Sequence, residues 1–380
     1  MSEAMEPAQP GKNPPMEDMS ETGSAKPSRS SAKLTDVAAA AGVSVATASK
    51  ALNNRRGVSR RNRDAVLRAA QMVGYLEYEN QHPQTLPSTV TLLTYGRMVG
   101  NDAFYGDIID GIVAEAAVQG VTVEVSILDE ALSKRGERSW KALPKAAVLM
   151  GIDEPQLLEA MRQNGIPGVL VNGIDPSMNF PSVAPDYYFG GWAATRHLLE
   201  LGHTEILHVT HVYRISIAQR EIGFRDALEG AGITFDPARH LLDLGSTDMI
   251  SMNAGPEIAK HIAGMEKPPT ALFCVSDVVA MSAIQAIRDM GLSVPGDISV
   301  IGFDGLPIGA HAMPSLTTVG IDRRELGIAA VKLLAERASF PNSPAKRISI
   351  GVDLLPRQST APVRQADSEI GGAGVGHGRC

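Results

Sequence analysis

Residues 36–53 read DVAAAAGVSVATASKALN: four alanines, a glycine, then a second apolar-periodic run. Thr35 is positioned to cap a first helix, with Asp36 near its positive end. Gly42 fits the left-handed position that closes a helix at low steric cost. Ser44 can then cap a second helix, VATASKALNN. Val37, Ala41, Val43, Ala48 and Leu52 form a small apolar seam, and the alanines let the two helices approach closely. A third helix follows a basic loop. Ser59 caps RRNRDAVLRAAQMVGY, whose apolar side carries Val66, Leu67, Ala70 and Val73. Two short helices, a glycine turn and a supporting third helix are the parts of a helix-turn-helix.

Charge points the same way. Lys33, Lys50, Arg55, Arg56, Arg60, Arg61, Arg63 and Arg68 stand against Asp36 and Asp64, so residues 33–68 carry +6. The whole chain carries -7, which leaves -13 for the remainder. A basic head on an acidic body is an electrostatic footprint of phosphate binding by the head. Within the second helix, Ser44, Val45, Ala46 and Thr47 present small side chains that let a backbone sit deep in a major groove. Ser49, Lys50 and Asn53 reach base edges or phosphates.

The 380 residues suffice for two or three domains. Residues 1–32 are polar and proline-rich and read as a disordered arm, without the apolar core of a signal peptide. No stretch is long enough to span a bilayer, and two cysteines, Cys274 and Cys380, form no disulfide framework. The expected location is the cytoplasm. A headpiece at 33–78 is followed by a polar linker at 79–89, a body at 90–362 and a glycine-rich flexible tail at 363–380. In the body, runs such as VTLLTYG, VTVEVSIL, AAVLMG, GVLVNG, TEILHVT, TALFCVSD, ISVIGFDG and RISIGVDLLP alternate with helical patterns, several ending in glycine. Continuous apolar strands between helices predict parallel sheets covered on both faces. About 270 residues make two α/β lobes the expected arrangement.

The motif D-V-A-x-x-A-G-V-S-x-x-T-x-S-x-x-L-N, here at 36–53, resembles the headpiece of the lactose/galactose-repressor family of bacterial transcription regulators. Ala48 stands where that family has valine. The resemblance covers some forty headpiece positions and continues to about Pro362 through segments such as QREIGFRDALEGAGI and PSLTTVGIDRRELG. It implies that Val45, Ala46 and Lys50 choose bases, while Ser44, Thr47, Asn53, Ser59 and Asn62 hold phosphates. Thr35 and Ser49 complete the expected DNA-binding set. It also implies a body folded like periplasmic sugar-binding proteins, crossed more than once by the chain, with a late return to the amino lobe near residues 323–350. The implied partners are operator DNA, a second copy of the chain and a small sugar-like effector, in a repressor of carbohydrate-utilisation genes.

By the same resemblance Arg220 is a ligand-clamping arginine and Asp304 an acceptor carboxylate at a strand's carboxyl end, the usual ligand edge of such sheets. Asn101, Phe104 and Tyr105 occupy the first strand-to-helix turn, where aromatics can wall a sugar ring. Asn172 stands where an aspartate is frequent and Ser276 where an asparagine is frequent. The linker also departs from the pattern. YLEYENQHPQTLPS lacks the proline–asparagine start of a hinge helix, and Gln84, beside Pro83, replaces the leucine that wedges into the minor groove. That wedge is therefore not expected.

Three other readings compete with this one. A solute-binding protein matches the body but not the basic head. An enzyme is not expected, because no P-loop, dinucleotide fingerprint or nucleophile elbow is present. His203, His208 and His211 lack acidic or cysteine partners at ligand spacing, so no metal site or cofactor is expected. Cys274, inside an apolar strand, is expected in the core.

Overall fold

The computed structural model describes residues 33–52, 57–73, 75, 85–211, 215–245 and 253–364. Asn53, the arm at 1–32, linker residues 76–84 and the tail from 365 onward lie outside the described residues. Three helices open the chain: α1 (Leu34–Ala41), α2 (Val45–Leu52) and α3 (Arg60–Met72). Gly42 adopts φ 65° and ψ 34°, and the Val43 N–H donates to the Ala38 carbonyl at 3.0 Å, closing α1 as expected. Ser44 and Ser59 cap α2 and α3, accepting from Thr47 N–H at 3.1 Å and Asn62 N–H at 3.3 Å. Val37, Ala38, Ala48, Ala51, Val66, Ala69 and Ala70 form a small buried core.

Two headpiece expectations are corrected. Thr35 is not the cap: the Asp36 carboxylate accepts from the Lys33 N–H at 2.7 Å, so α1 starts earlier and Thr35 lies exposed in its first turn. Leu67 does not face the core but is 41% exposed. The buried stripe of α3 runs through Val66, Ala69 and Ala70, and the residue after Val66 is turned about 100° away.

The body holds two six-stranded sheets. In chain order the first lobe supplies β1 (Thr89–Tyr95), α4 (Asp102–Val118), β2 (Thr122–Leu128), β3 (Ala147–Met150), α5 (Pro155–Gln163), β4 (Gly168–Val171) and β5 (Ser182–Pro185). The second supplies α6 (Tyr187–Glu200), β6 (Ile206–Thr210), α7 (Ile215–Gly230), β7 (Leu241–Asp243), α8 (Gly255–Gly264), β8 (Ala271–Cys274), α9 (Asp277–Asp289), β9 (Ser299–Asp304) and β10 (Thr317–Ile321). Then α10 (Arg323–Ser339) and β11 (Arg347–Ile350) return to the first lobe, as expected, and β12 (Val352–Leu355) ends in the second. The strand orders are β11-β5-β4-β3-β1-β2 and β12-β10-β9-β8-β6-β7. The central strands β3, β4, β8 and β9 are buried throughout, which explains their unbroken apolar reading.

The single strand expected at RISIGVDLLP is two. Gly351 separates β11, parallel to β5, from β12, antiparallel to β10. The chain passes straight from the first sheet into the second with no helix to reverse it, so β12 runs against β10, its one neighbour in the sheet. The all-parallel expectation fails at this edge alone among the described pairings. Strands β5, β7 and β10 went unread because they are short or, in β10, carry threonines whose hydroxyls are used in the fold. Thr318 donates to the Asp277 carboxylate, and Thr317 Oγ1 accepts from the Arg357 N–H at 2.9 Å. The body also reaches two residues past its expected end. The Val363 N–H donates to the Leu201 carbonyl at 2.9 Å, and Arg364 pairs with Asp297 at 3.1 Å.

The chain thus crosses between lobes at Asp186, Asp322 and Gly351. Asp186 caps α6 through the Phe189 N–H at 2.9 Å, and Asp322 caps α10 through the Glu325 N–H at 3.0 Å. Each crossing helix is seated on its new lobe at a glycine pair: α6 meets α7 at Gly191 and Gly223, and α10 meets α4 at Gly327 and Gly111. A β-carbon at any of the four would overlap a backbone carbonyl oxygen of the facing helix, for example Arg324 opposite Gly111 and Tyr188 opposite Gly223. Gly111→Ala and Gly223→Ala should each lower stability by about 1–3 kcal/mol or more, read as a shifted urea midpoint. Alanine at Gly230, with nothing near its β-carbon position, is the control and should leave the midpoint in place or raise it slightly.

Candidate functional site

Two surfaces gather the residues singled out in the sequence. On the headpiece, Val45, Ala46 and Lys50 are exposed on the outward side of α2, with Ser49 half-buried beside them, while Ala48 and Ala51 point into the core. The Ser44 and Thr47 side-chain oxygens lie 2.8 Å apart and share a hydrogen bond, which orients both at the start of α2. Ser59 and Asn62 are exposed at the start of α3, alongside the exposed Arg60 and Arg61. The outward face of α2 is therefore small and uncharged except for Lys50, with guanidinium groups on the neighbouring helix.

The second surface is the cleft between the lobes. Asn172, following β4, and Asp304, ending β9, occupy matching places at the carboxyl ends of strands in opposite lobes. Both have positive φ, 54° and 121°. Non-glycine residues rarely adopt such angles, and they cluster where surrounding structure imposes them for a function. Arg220, on α7 and 7% exposed, donates through Nη1 to the Val275 carbonyl, and its Nη2 lies 3.7 Å from Asp304 Oδ1. Its guanidinium carbon sits 3.9 Å from the Phe303 ring centroid and 4.9 Å from that of Tyr187. Arg220 Nε is buried with no hydrogen-bond partner among the described residues. An arginine held by aromatic faces with a donor left over is equipped to take an oxygen from a ligand.

On the first lobe, Phe104 and Tyr105 are buried and meet edge to face at 4.8 Å. Asn172 Nδ2 donates to the Tyr105 hydroxyl at 3.3 Å, and the Tyr187 hydroxyl donates to Asn172 Oδ1. Asn101 is exposed ahead of α4, and Ser276 is engaged as the cap of α9, accepting from the Val279 N–H at 3.3 Å. Asn172, Tyr105, Arg220 and Asp304 thus converge, while Asn101 and Ser276 sit at the starts of α4 and α9. Tyr187, Phe303 and Arg323 were not singled out in the sequence. Phe303 had a signal, adjacency to Asp304. Tyr187 and Arg323 carried none, because each reaches the cleft only through a lobe crossing.

The histidines are structural in their contacts. His208 stacks on Phe273 at 4.4 Å, with Nδ1 2.8 Å from the Phe273 carbonyl, and burial holds its pKa down at about 3. His203 bridges Thr270 and the Ala361 carbonyl. Cys274 is fully buried, and burial pushes its thiol pKa up.

Burial raises the Asp304 carboxyl to about 8, the neighbouring Arg220 opposing and Asp277 adding to the shift. Burial likewise raises Asp277 to about 6, against hydrogen bonds from Thr318 and from the Leu306 N–H. Asp304 keeps its proton in the folded state up to a higher pH than in the unfolded chain. Raising pH from about 4 to 8 therefore favours unfolding. Across that range Asp304 by itself contributes a fall of up to about 1.4 kcal/mol per pH unit, opposed through the ordinary imidazole range by His197, His203, His208 and His240, which burial keeps neutral in the folded state. Asp304→Asn should flatten that limb, measured by urea unfolding at fixed pH values. An unchanged slope would contradict the assignment.

Residues 33–77 match the family described as bacterial regulatory proteins, lacI family, and residues 195–360 match a periplasmic binding protein-like domain. The transcriptional regulator MalR of Streptomyces coelicolor is 31% identical over 341 residues, spanning 87% of this chain and 96% of that protein. The transcriptional repressor CytR of Escherichia coli K12 is 30% identical over 343 residues, spanning 88% and 98%. Among solved structures, a complex of the regulator CelR with cellobiose aligns with a TM-score of 0.62 at 25% identity, covering 86% of this chain and 99% of that one. A ribose-bound LacI-family regulator from Enterococcus faecium aligns with a TM-score of 0.61 at 25% identity, covering 73% and 100%. With the headpiece, the two-sheet body and full-length relatives in agreement, this chain belongs to the LacI family of DNA-binding bacterial transcription regulators.

Proposed function

We propose that this regulator is a cytoplasmic repressor of carbohydrate-utilisation genes that binds its operator as a homodimer and releases or tightens it when a polyhydroxylated effector enters the cleft. The observation that carries this reading is the pairing of an outward α2 face, Val45-Ala46-Ser49-Lys50, with a cleft that concentrates Arg220, Asp304, Asn172 and Tyr105. Val45 and Ala46 fit close to base edges, and Lys50 donates to bases. Ser44, Thr47, Ser59 and Asn62, with Thr35 and Asn53 flanking, take phosphates. In the cleft, Arg220 and Asp304 offer a donor and an acceptor to adjacent hydroxyls, and Phe104 and Tyr105 wall the ring. Asn101 and Ser276 complete the proposed rim. The cellobiose and ribose bound by similar regulators support a sugar as the ligand class. We assign the domain limits as 33–78 for the headpiece, 79–89 for the linker and 90 onward for the body.

The dimer face we favour is on the first lobe. Val113 and Val118 of α4 and Val125 and Ile127 of the edge strand β2 are exposed, the last two at 55% and 52%. A second copy covering this face brings two headpieces to one near-palindromic site. Among the described residues no helix is long and apolar enough to cross a membrane. The relatives being regulators argues against an enzyme, and the headpiece argues against a pure solute-binding protein.

Selection from a random duplex library should enrich one near-palindromic sequence whose affinity falls steeply with salt. Lys50→Ala should weaken that site about tenfold while leaving bulk-DNA binding less affected. Arg220→Ala should retain the site yet lose any response to ribose or cellobiose. Failure to enrich any sequence over bulk DNA, with and without these sugars, would overturn the proposal.

A further inference from the structure

The two crossing helices begin with residues that reach back across the cleft. Tyr187 is the first residue of α6, in the second lobe, and its hydroxyl donates to Asn172 Oδ1 in the first. Arg323 is the first residue of α10, seated on the first lobe, and its Nη1 donates to the Asp304 carbonyl in the second at 2.7 Å. Arg323 is anchored from behind by Asp107 of α4, at 3.1 Å from Nε and 2.9 Å from Nη2. Both side chains are buried, Tyr187 at 1% and Arg323 at 7% exposure. The partners they reach, Asn172 and Asp304, are the two cleft residues held at positive φ.

The two ties differ in what they occupy. Arg323 holds a main-chain carbonyl and does not touch the Asp304 carboxyl, which faces Arg220. Tyr187 occupies the amide oxygen of Asn172, the very acceptor a ligand hydroxyl would use. The other end of that amide donates to Tyr105, so Asn172 is engaged on both sides. Gly190, the next turn of α6, lies against the Phe303 ring with no room for a β-carbon, which keeps Tyr187 pressed to the cleft.

We propose that Tyr187 is a ligand-displaced latch: its hydroxyl holds the cleft closed by occupying Asn172, and Arg323 is the tie that persists when that latch opens. The proposal rests on the cleft being the effector site. It specifies the displacing group. Asn172 Oδ1 accepts, so the group that replaces the phenol must donate, as a hydroxyl or amine does and a carboxylate or phosphate oxygen does not. Tyr187 is a positioning residue here, setting how far the lobes part and which ligands gain entry.

The test uses the full chain with Cys380→Ser and spin labels on Asn164→Cys in the first lobe and Lys260→Cys in the second; the buried Cys274 is shielded from labelling. Electron–electron distance measurement without ligand should give one short population for the parent. Tyr187→Phe, which keeps the ring, and Asn172→Ala, which removes the acceptor, should both enlarge a longer-distance population about five-fold, the shift that one net hydrogen bond produces. Distributions that coincide with the parent in both variants would overturn the latch. Ribose and cellobiose titrations supply the second readout: Tyr187→Phe should bind the sugar about five-fold more tightly, since its competitor is gone. Weaker binding would make Tyr187 an ordinary ligand contact and also overturn the proposal. If neither sugar binds the parent but both variants open, the latch stands and the choice of sugar as effector fails.

Discussion

Close backbone contact between helices at paired glycines is the constraint on which this body depends. The lobes exchange chain at Asp186, Asp322 and Gly351, and the first two exchanges each launch a helix into the opposite lobe. Gly191 against Gly223, and Gly327 against Gly111, let those helices approach until backbone meets backbone. Interiors packed to crystal-like density have two arrangements or one, but little continuous give. Seating each crossing helix so tightly fixes where its first residue lies, and those first residues are Tyr187 and Arg323. The geometry of the cleft follows from glycines four residues further along the same helices.

Inside the cleft, burial outweighs pairing. Arg220 lies within 3.7 Å of Asp304, yet the carboxyl rises to about 8 because loss of water costs the charged form more than the arginine returns. Arg220 donates to a backbone carbonyl and lies over two aromatic faces, and its Nε has no hydrogen-bond partner among the described residues. Two residues at positive φ and a buried carboxyl that holds its proton meet at this cleft.

The headpiece was legible almost residue by residue. Gly42, Ser44 and Ser59 act through bonds to groups within four or five positions, so spacing alone carries their roles. The two misreadings, Thr35 and Leu67, were also local. A carboxylate at Asp36 shifted a helix start, and one position of helical phase turned a leucine outward. In the body, apolar runs announced eight strand regions, but RISIGVDLLP concealed a passage between two sheets. Short strands such as β5 and β7 have too few residues for a period to show. Among the cleft residues, Arg220 and Asp304 came from a family resemblance, Asn172 from a departure from it and Tyr105 from its place after the first strand, and the four converge in space, whereas Asn101 and Ser276 lie at helix starts.

Apart from the late return of the chain to the first lobe, which the family resemblance implied, the sequence by itself determined the three-helix headpiece and the alternation of strands and helices. Those features rest on periodicity, caps and turn residues, which act over one or two turns of chain. Tertiary structure alone decided that Tyr187 meets Asn172 and that Arg323 meets Asp304. These partners are separated by 15 and 19 residues and lie in different lobes. No local pattern encodes such a meeting, because it exists only once two crossing helices are seated on lobes other than the ones their strands came from.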